Sequence, residues 1–132
     1  MTEFSEIERD EIAVQFVRGR DELADIRRAW NELEAVVALC GRRFYGAFDA
    51  VANDYRACVE VREGDEIVPG LESGTLPGGR YLRARLHGDP PGVYERIAPT
   101  FDELVRQAKP DESRPSLEYY RRNDEIDLLL PI

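Results

Sequence analysis

IAVQFVRGRDELADIRRAWNELEAVVALCGRRFYGAFDAVANDYRACVEV, residues 12–61, reads as strand, helix, strand, strand. Ile12 to Val17 is rich in β-formers. A helix follows from Asp21, whose carboxylate can cap the free backbone N–H groups at its start. Leu23, Ile26, Trp30, Leu33, Val37 and Cys40 recur at steps of three and four, so they share one face. Gly41 fits the left-handed position that ends such a helix. Two strands come next, Arg43 to Phe48 and Tyr55 to Val61, with Asn53 and Asp54 supplying turn chemistry between them.

Outward from this unit the same order recurs. Arg80 to Leu86 opens a second copy, and Tyr94, Ile97, Phe101, Leu104 and Ala108 lie on one face of its helix. Pro99 falls inside that pattern and is predicted to kink or break the helix near Ala98. Ser116 to Arg121 and Glu125 to Leu130 close the chain as strands. Corresponding elements are offset by about 70 residues, which argues for an internal repeat. Residues 63–78, dense in Gly, Pro and acids, read as a crossover between halves. The expected fold is a single α+β domain over residues 1–132, made of two pseudo-symmetric β-α-β-β repeats (about 11–62 and about 79–132). They form antiparallel sheet with both helices on one face. The opposite face, and the seam between halves, are then free to form a ligand cleft.

The composition narrows the function. Eighteen basic against 27 acidic side chains leave a formal charge of −9, the opposite of what a phosphate-gripping protein needs, so no direct nucleic-acid partner is expected. The same surplus favours cationic ligands or basic protein surfaces. The N-terminus lacks an apolar signal segment, and the apolar runs are too short to span a bilayer, so the expectation is cytoplasmic with no membrane partner. Cys40, Cys58 and His87 make a poor zinc set, and the thiols read as buried and free; no metal and no cofactor are expected.

Three segments together resemble the gyrase-inhibitor-like (GyrI-like) family, the effector-binding domains of bacterial multidrug-responsive transcription activators. GLESGTLPGGRYLRARLHG (70–88) resembles the signature that opens that family's second half. RPSLEYY (114–120) resembles its Pro-x-x-Glu-x-Tyr strand, and EIDLLLPI (125–132) its closing strand. The two-fold repeat is the family's architecture as well, and the resemblance covers nearly the whole chain. With no residues left for a helix-turn-helix, a stand-alone member is expected.

The resemblance places the family's pocket glutamate at Glu118 and its partner tyrosine at Tyr120. Strand alternation puts those two on one face and Leu117 and Tyr119 on the other. By alternation alone Glu118 reads as a solvated residue; with the resemblance it reads as the floor of a cleft. Gly46 holds the position symmetric to Glu118 and either makes room there or marks a bulge. Phe48 shares its face and mirrors Tyr120 as a wall, whereas Tyr45 points to the other face. Trp30 is a core tryptophan or a lid, and Tyr81 approaches the seam or packs the core. Asp127 is a second acid in the cleft or an ordinary exposed residue.

The resulting expectation is a binding module for small amphipathic molecules, in particular lipophilic cations. Glu118 would supply the charge, and Tyr120 and Phe48 the flat contact area. Two alternatives use other readings of the same residues. One is hydrolysis of electrophiles, with Glu118 as general base and Tyr120 polarising the substrate. The other is a protein-interaction role such as gyrase modulation.

Overall fold

The structure is a computed structural model that describes residues 3–37, 41–122 and 124–132. The element order is β1 (Phe4–Arg9), β2 (Ile12–Gly19), α1 (Leu23–Val36), β3 (Phe44–Asp49), β4 (Asp54–Glu60), β5 (Glu72–Leu76), β6 (Gly79–His87), a 3-10 helix (Gly92–Arg96), α2 (Ile97–Gln107), β7 (Ser116–Arg122) and β8 (Glu125–Pro131). All eight strands join one antiparallel sheet in the order β1-β6-β8-β7-β3-β4-β2-β5. The expected α+β class holds: α1 packs on β2 and β4, and α2 on β6 and β8. No helix among the described residues is long and apolar enough to cross a membrane.

Cross-strand register sorts the side chains onto two faces. On the helix-bearing face, Ala29 and Leu33 of α1 pack on Val17, Tyr55, Ala57 and Val59. Phe101 and Leu104 of α2 pack on Leu82, Leu86, Ile126 and Leu128. Phe48 touches both groups and bridges them.

The other face is not the open cleft that the sequence predicts. Tyr45, Tyr81, Leu117, Leu129, Phe16 and Leu76 form a second core there, all at most 3% exposed. Each large apolar side chain so buried contributes about 1.5–3 kcal/mol. This core is closed by connections the repeat pattern did not contain. β1 lies in the acidic N-terminal stretch, outside the first expected repeat, and β5 lies inside the expected crossover. Both run at the sheet's edges, β1 beside β6 and β5 beside β2. Where their onward connections meet, a Cβ on Gly78 would stand 2.8 Å from both the Arg9 carbonyl and the Glu11 amide nitrogen. Those are backbone atoms with little freedom to retreat. Gly78→Ala is therefore expected to cost about 1–3 kcal/mol by forcing this contact apart. A thermal melt beside Gly92→Ala, where a Cβ meets nothing within 4 Å, checks it.

Local departures from the sequence reading have clear causes. Leu23, expected on the buried stripe of α1, is 66% exposed because the helix turns Ala29 and Trp30 to the sheet instead. The helical segment ends at Val36, so Gly41, with φ of +75°, lies beyond it in a turn. Cys40 lies outside the described residues, and Cys58 is a buried free thiol that burial pushes up to about 12. Pro99 does not break α2. It occupies the third position of that helix, where its missing N–H costs nothing, and the break comes earlier at the 3-10-to-α junction of Arg96 and Ile97.

Candidate functional site

The two central strands, β3 and β7, place Gly46 directly opposite Glu118. Alternation turns both onto the helix-bearing face, together with Phe44, Phe48 and Tyr120. The missing side chain at 46 leaves the space that the Glu118 carboxylate occupies. A Cβ at that position would lie 2.5 Å from Glu118 Oε1 and 2.3 Å from the Tyr55 hydroxyl oxygen. The glycine therefore makes room for the carboxylate and its partner; no register shift interrupts the β3–β7 pairing at this point.

Glu118 is 7% exposed. Its Oε1 accepts hydrogen bonds from the hydroxyls of Tyr120 (2.6 Å) and Tyr55 (2.9 Å). The Trp30 indole N–H donates to the Tyr55 oxygen at 3.0 Å, so the single Tyr55 proton is committed to Glu118. Both tyrosine hydroxyls are held well above their usual pKa, chiefly by burial, and so stay donors. Oε2 has no donor among the described residues, and no Arg, Lys or His there pairs with this carboxylate. Burial pushes the Glu118 carboxyl above the ordinary range, against the two tyrosine hydrogen bonds that pull it down; the charge of Asp21 adds to the rise. A nearly buried acid without a counter-ion is costly unless something supplies one.

The surroundings are aromatic. The Tyr120 ring lies edge-on to Trp30 at 5.4 Å and to Tyr94 at 6.3 Å, and Trp30 meets Phe44 at 6.2 Å. Phe48 packs edge-on against Phe101 of α2 at 4.9 Å. Tyr94, on the 3-10 helix, is 46% exposed, so the cluster runs from the buried carboxylate to the surface. The side chains are closed over Glu118. Two depressions of about 220 Å³ are lined by other residues than Glu118, one by Phe48, Arg56 and Arg114 and the other by Gln15 and Arg42.

Of the residues singled out in the sequence, the structure brings Glu118, Tyr120, Gly46, Phe48 and Trp30 onto this face. Trp30 belongs to the α1 packing and also touches the Glu118 network. Tyr45, Tyr81 and Asp127 face the other way. Tyr45 is fully buried, stacked on Tyr119 at 4.6 Å, and accepts a hydrogen bond from Arg9. Tyr81 donates to the Pro77 carbonyl. Asp127 is neither a second acid in the cleft nor exposed: it is 3% exposed, and Arg85 holds it in a fork, donating from Nε at 2.7 Å and from Nη2 at 3.1 Å. Tyr55 and Tyr94 were missed. The β3–β4 hairpin register, which sets Tyr55 across from Phe48, is the signal that finds Tyr55, since the Asn53-Asp54 turn fixes that register. Nothing comparable marks Tyr94, which the helical pattern assigns to the core.

Several solved structures share this fold. An integron cassette protein of Vibrio cholerae superposes with a TM-score of 0.79 at 16% identity, covering 97% of this chain and 94% of that one. SAV2435, solved bound to tetraphenylphosphonium, superposes with a TM-score of 0.66 at 14% identity over 98% of this chain and 93% of that one. A hydrolase from Listeria innocua gives 0.60 at 11% identity, over 98% and 90% respectively. No curated protein sequence matches the chain. The sequence model of the GyrI-like small molecule binding domain, by contrast, matches residues 2–132, and the chain belongs to that family.

Proposed function

We propose that this protein is a cytoplasmic receptor for amphipathic organic cations, with Glu118 as the charge that selects them. The observation that carries this reading is a carboxylate 7% exposed that has two hydroxyl donors but no cationic partner among the described residues. A delocalised cation brings its own charge to Oε2 and little hydration to lose, while the rings of Trp30, Tyr120 and Tyr94 contribute about 0.5–2 kcal/mol per cation–π contact. A ligand reaches the acid by parting Trp30 from Tyr55 and Tyr120, which makes Trp30, the single tryptophan, a direct reporter. The phosphonium found on SAV2435 is of the same chemical type.

The test compares two ions of nearly one shape and opposite charge. Tetraphenylphosphonium is expected to change Trp30 fluorescence saturably, and tetraphenylborate to leave it unchanged. Equal binding of both ions would mean that shape alone selects the ligand and that Glu118 does not.

One observation favours hydrolysis as a second reading. The Tyr120 hydroxyl sits 2.6 Å from a carboxyl whose pKa is raised, a general acid–base pair in outline. Turnover of an epoxide or similar electrophile by wild type but not by Glu118→Gln would establish it.

A further inference from the structure

On the face opposite Glu118, at the end of the sheet where β3 turns into β4, the second core runs out and a depression stays open. It holds about 220 Å³, below the roughly 300–1,000 Å³ of pockets for drug-sized ligands. Its floor is Ala47 and Arg56, directly opposite each other on β3 and β4. The methyl of Ala47, set between the longer Arg56 and Leu117, keeps that floor low. The walls are Thr75 to Pro77 and, across from them, Glu112 to Pro115. The second wall is pinned by Arg114, which donates to the carbonyls of Ile132 (2.8 Å) and Arg80 (3.1 Å) and to Asp111 (3.1 Å). Its guanidinium also lies 5.0 Å from the Tyr81 ring centroid, so this arginine is spent on the wall itself.

The lining leaves charge of both signs unused. Arg56 lies over the Phe16 ring at 4.7 Å, and its Nε donates to Asp54 at 3.2 Å. Asp54 is shared with Arg18, which stands across from Arg56 on β2. The two terminal nitrogens of Arg56 have no acceptor among the described residues. A guanidinium fixed at Nε and against a ring, with its other end open, suits a carboxylate, which takes two parallel N–H bonds. Among the acids, Asp49 accepts from the Val51 and Ala52 N–H groups with Oδ1 alone. Its Oδ2, and the whole Glu112 carboxylate, have no partner among the described residues. Arg56 stands on β4 and Glu112 just precedes β7. With β3 between them, those two strands run about 9–10 Å apart.

We propose that this cavity is a second binding site, for a small zwitterion with its charges at opposite ends, the chemical class of the ω-amino acids. The carboxylate meets Arg56, the ammonium meets Glu112 and Asp49, and the short apolar chain lies over Ala47 and Leu76. A bare anion would face the acids and a bare cation the guanidinium, so neither suits the lining as well. The site lies on the other face of the sheet and stands apart from the reading of Glu118.

Calorimetric titration with γ-aminobutyrate, butyrate and butylammonium, probes of one chain length, tests it. Wild type is expected to bind γ-aminobutyrate about fivefold more tightly than either singly charged probe, the scale of a half-exposed ion pair. Arg56→Gln should weaken γ-aminobutyrate and butyrate but spare butylammonium. Glu112→Gln, at an exposed position, should weaken γ-aminobutyrate and butylammonium but spare butyrate. Saturating tetraphenylphosphonium should leave γ-aminobutyrate affinity unchanged. Absence of γ-aminobutyrate binding by wild type, equal affinity for the three probes, or displacement by the phosphonium overturns the site. Should Arg56→Gln not fold, the Glu112→Gln arm decides alone, and an undiminished preference for the zwitterion there overturns the site as well.

Discussion

Gly46→Ala should destabilise the protein by about 1–3 kcal/mol, as overpacking of a close-packed interior does, and should abolish cation binding in the fraction that remains folded. The glycine lies in the middle of the sheet, opposite Glu118, and its added methyl would overlap two atoms at once. Glu118 and Tyr55 cannot both retreat, because α1 and its Trp30 cover them. The two contacts can be separated. Tyr55→Phe removes the oxygen at 2.3 Å and leaves the one at 2.5 Å, so the double variant Gly46→Ala/Tyr55→Phe should recover part of the lost stability. A double-mutant cycle in urea measures this coupling. Strict additivity would mean that the methyl is accommodated some other way.

The second large effect is the pH dependence that Glu118 imposes. Its folded-state carboxyl holds its proton more tightly than the unfolded chain does, where the ordinary value is 4.5. The stability this group contributes is therefore fully present below pH 4.5 and lost as pH rises through the higher folded value. Per pH unit inside that window the loss is about 1.4 kcal/mol. Glu118→Gln removes the titration, so its stability curve should be flatter across the window. The carboxyls of Asp25, Asp65 and Asp111 have the opposite sign: arginine and backbone hydrogen bonds lower the first two, and the hydroxyl and backbone N–H of Ser113, then Arg114, lower Asp111. Their contribution is present above the ordinary aspartate value and fades as pH falls, Asp111 down to about 2. The two effects occupy different windows and can be told apart.

Binding follows the same proton. A cation pairs with the charged carboxylate only, so affinity should rise with pH up to the folded pKa of Glu118 and then level off. Below that value each pH unit costs about tenfold. Ligand and proton compete for one site, and salt-dependent attraction to the general −9 charge would show no such break.

Much of this was legible in the chain because two signals are local. Period-two alternation in SLEYYR separates Glu118 and Tyr120 from Leu117 and Tyr119, and the structure keeps that separation. The three-and-four spacing of Ile26, Trp30 and Leu33 found the α1 face for the same reason. What escaped depends on pairings distant in sequence. β1 and β5 are strands because edges of the sheet wait for them, and FSEIER and ESGTL carry little strand signal on their own. Without those edges the far face looked vacant, and Tyr45, Tyr81 and Asp127 looked free for a ligand. The edges, Arg9 and Arg85 account for all three. Asp21 reads as a helix cap in the sequence, but the residue before α1 is Glu22 and no side chain caps that helix.

The most direct test of the account is the dissociation constant of tetraphenylphosphonium at pH 5 and pH 8, for wild type and for Glu118→Gln side by side. A raised Glu118 pKa predicts tighter binding by wild type at the higher pH, and a loss of about tenfold or more in the variant there, as expected for removing a desolvated charge. The variant's own affinity should not change with pH. Equal affinities for the two proteins at both pH values would contradict the account, because the acid beneath Trp30 and Tyr120 would then have no part in binding.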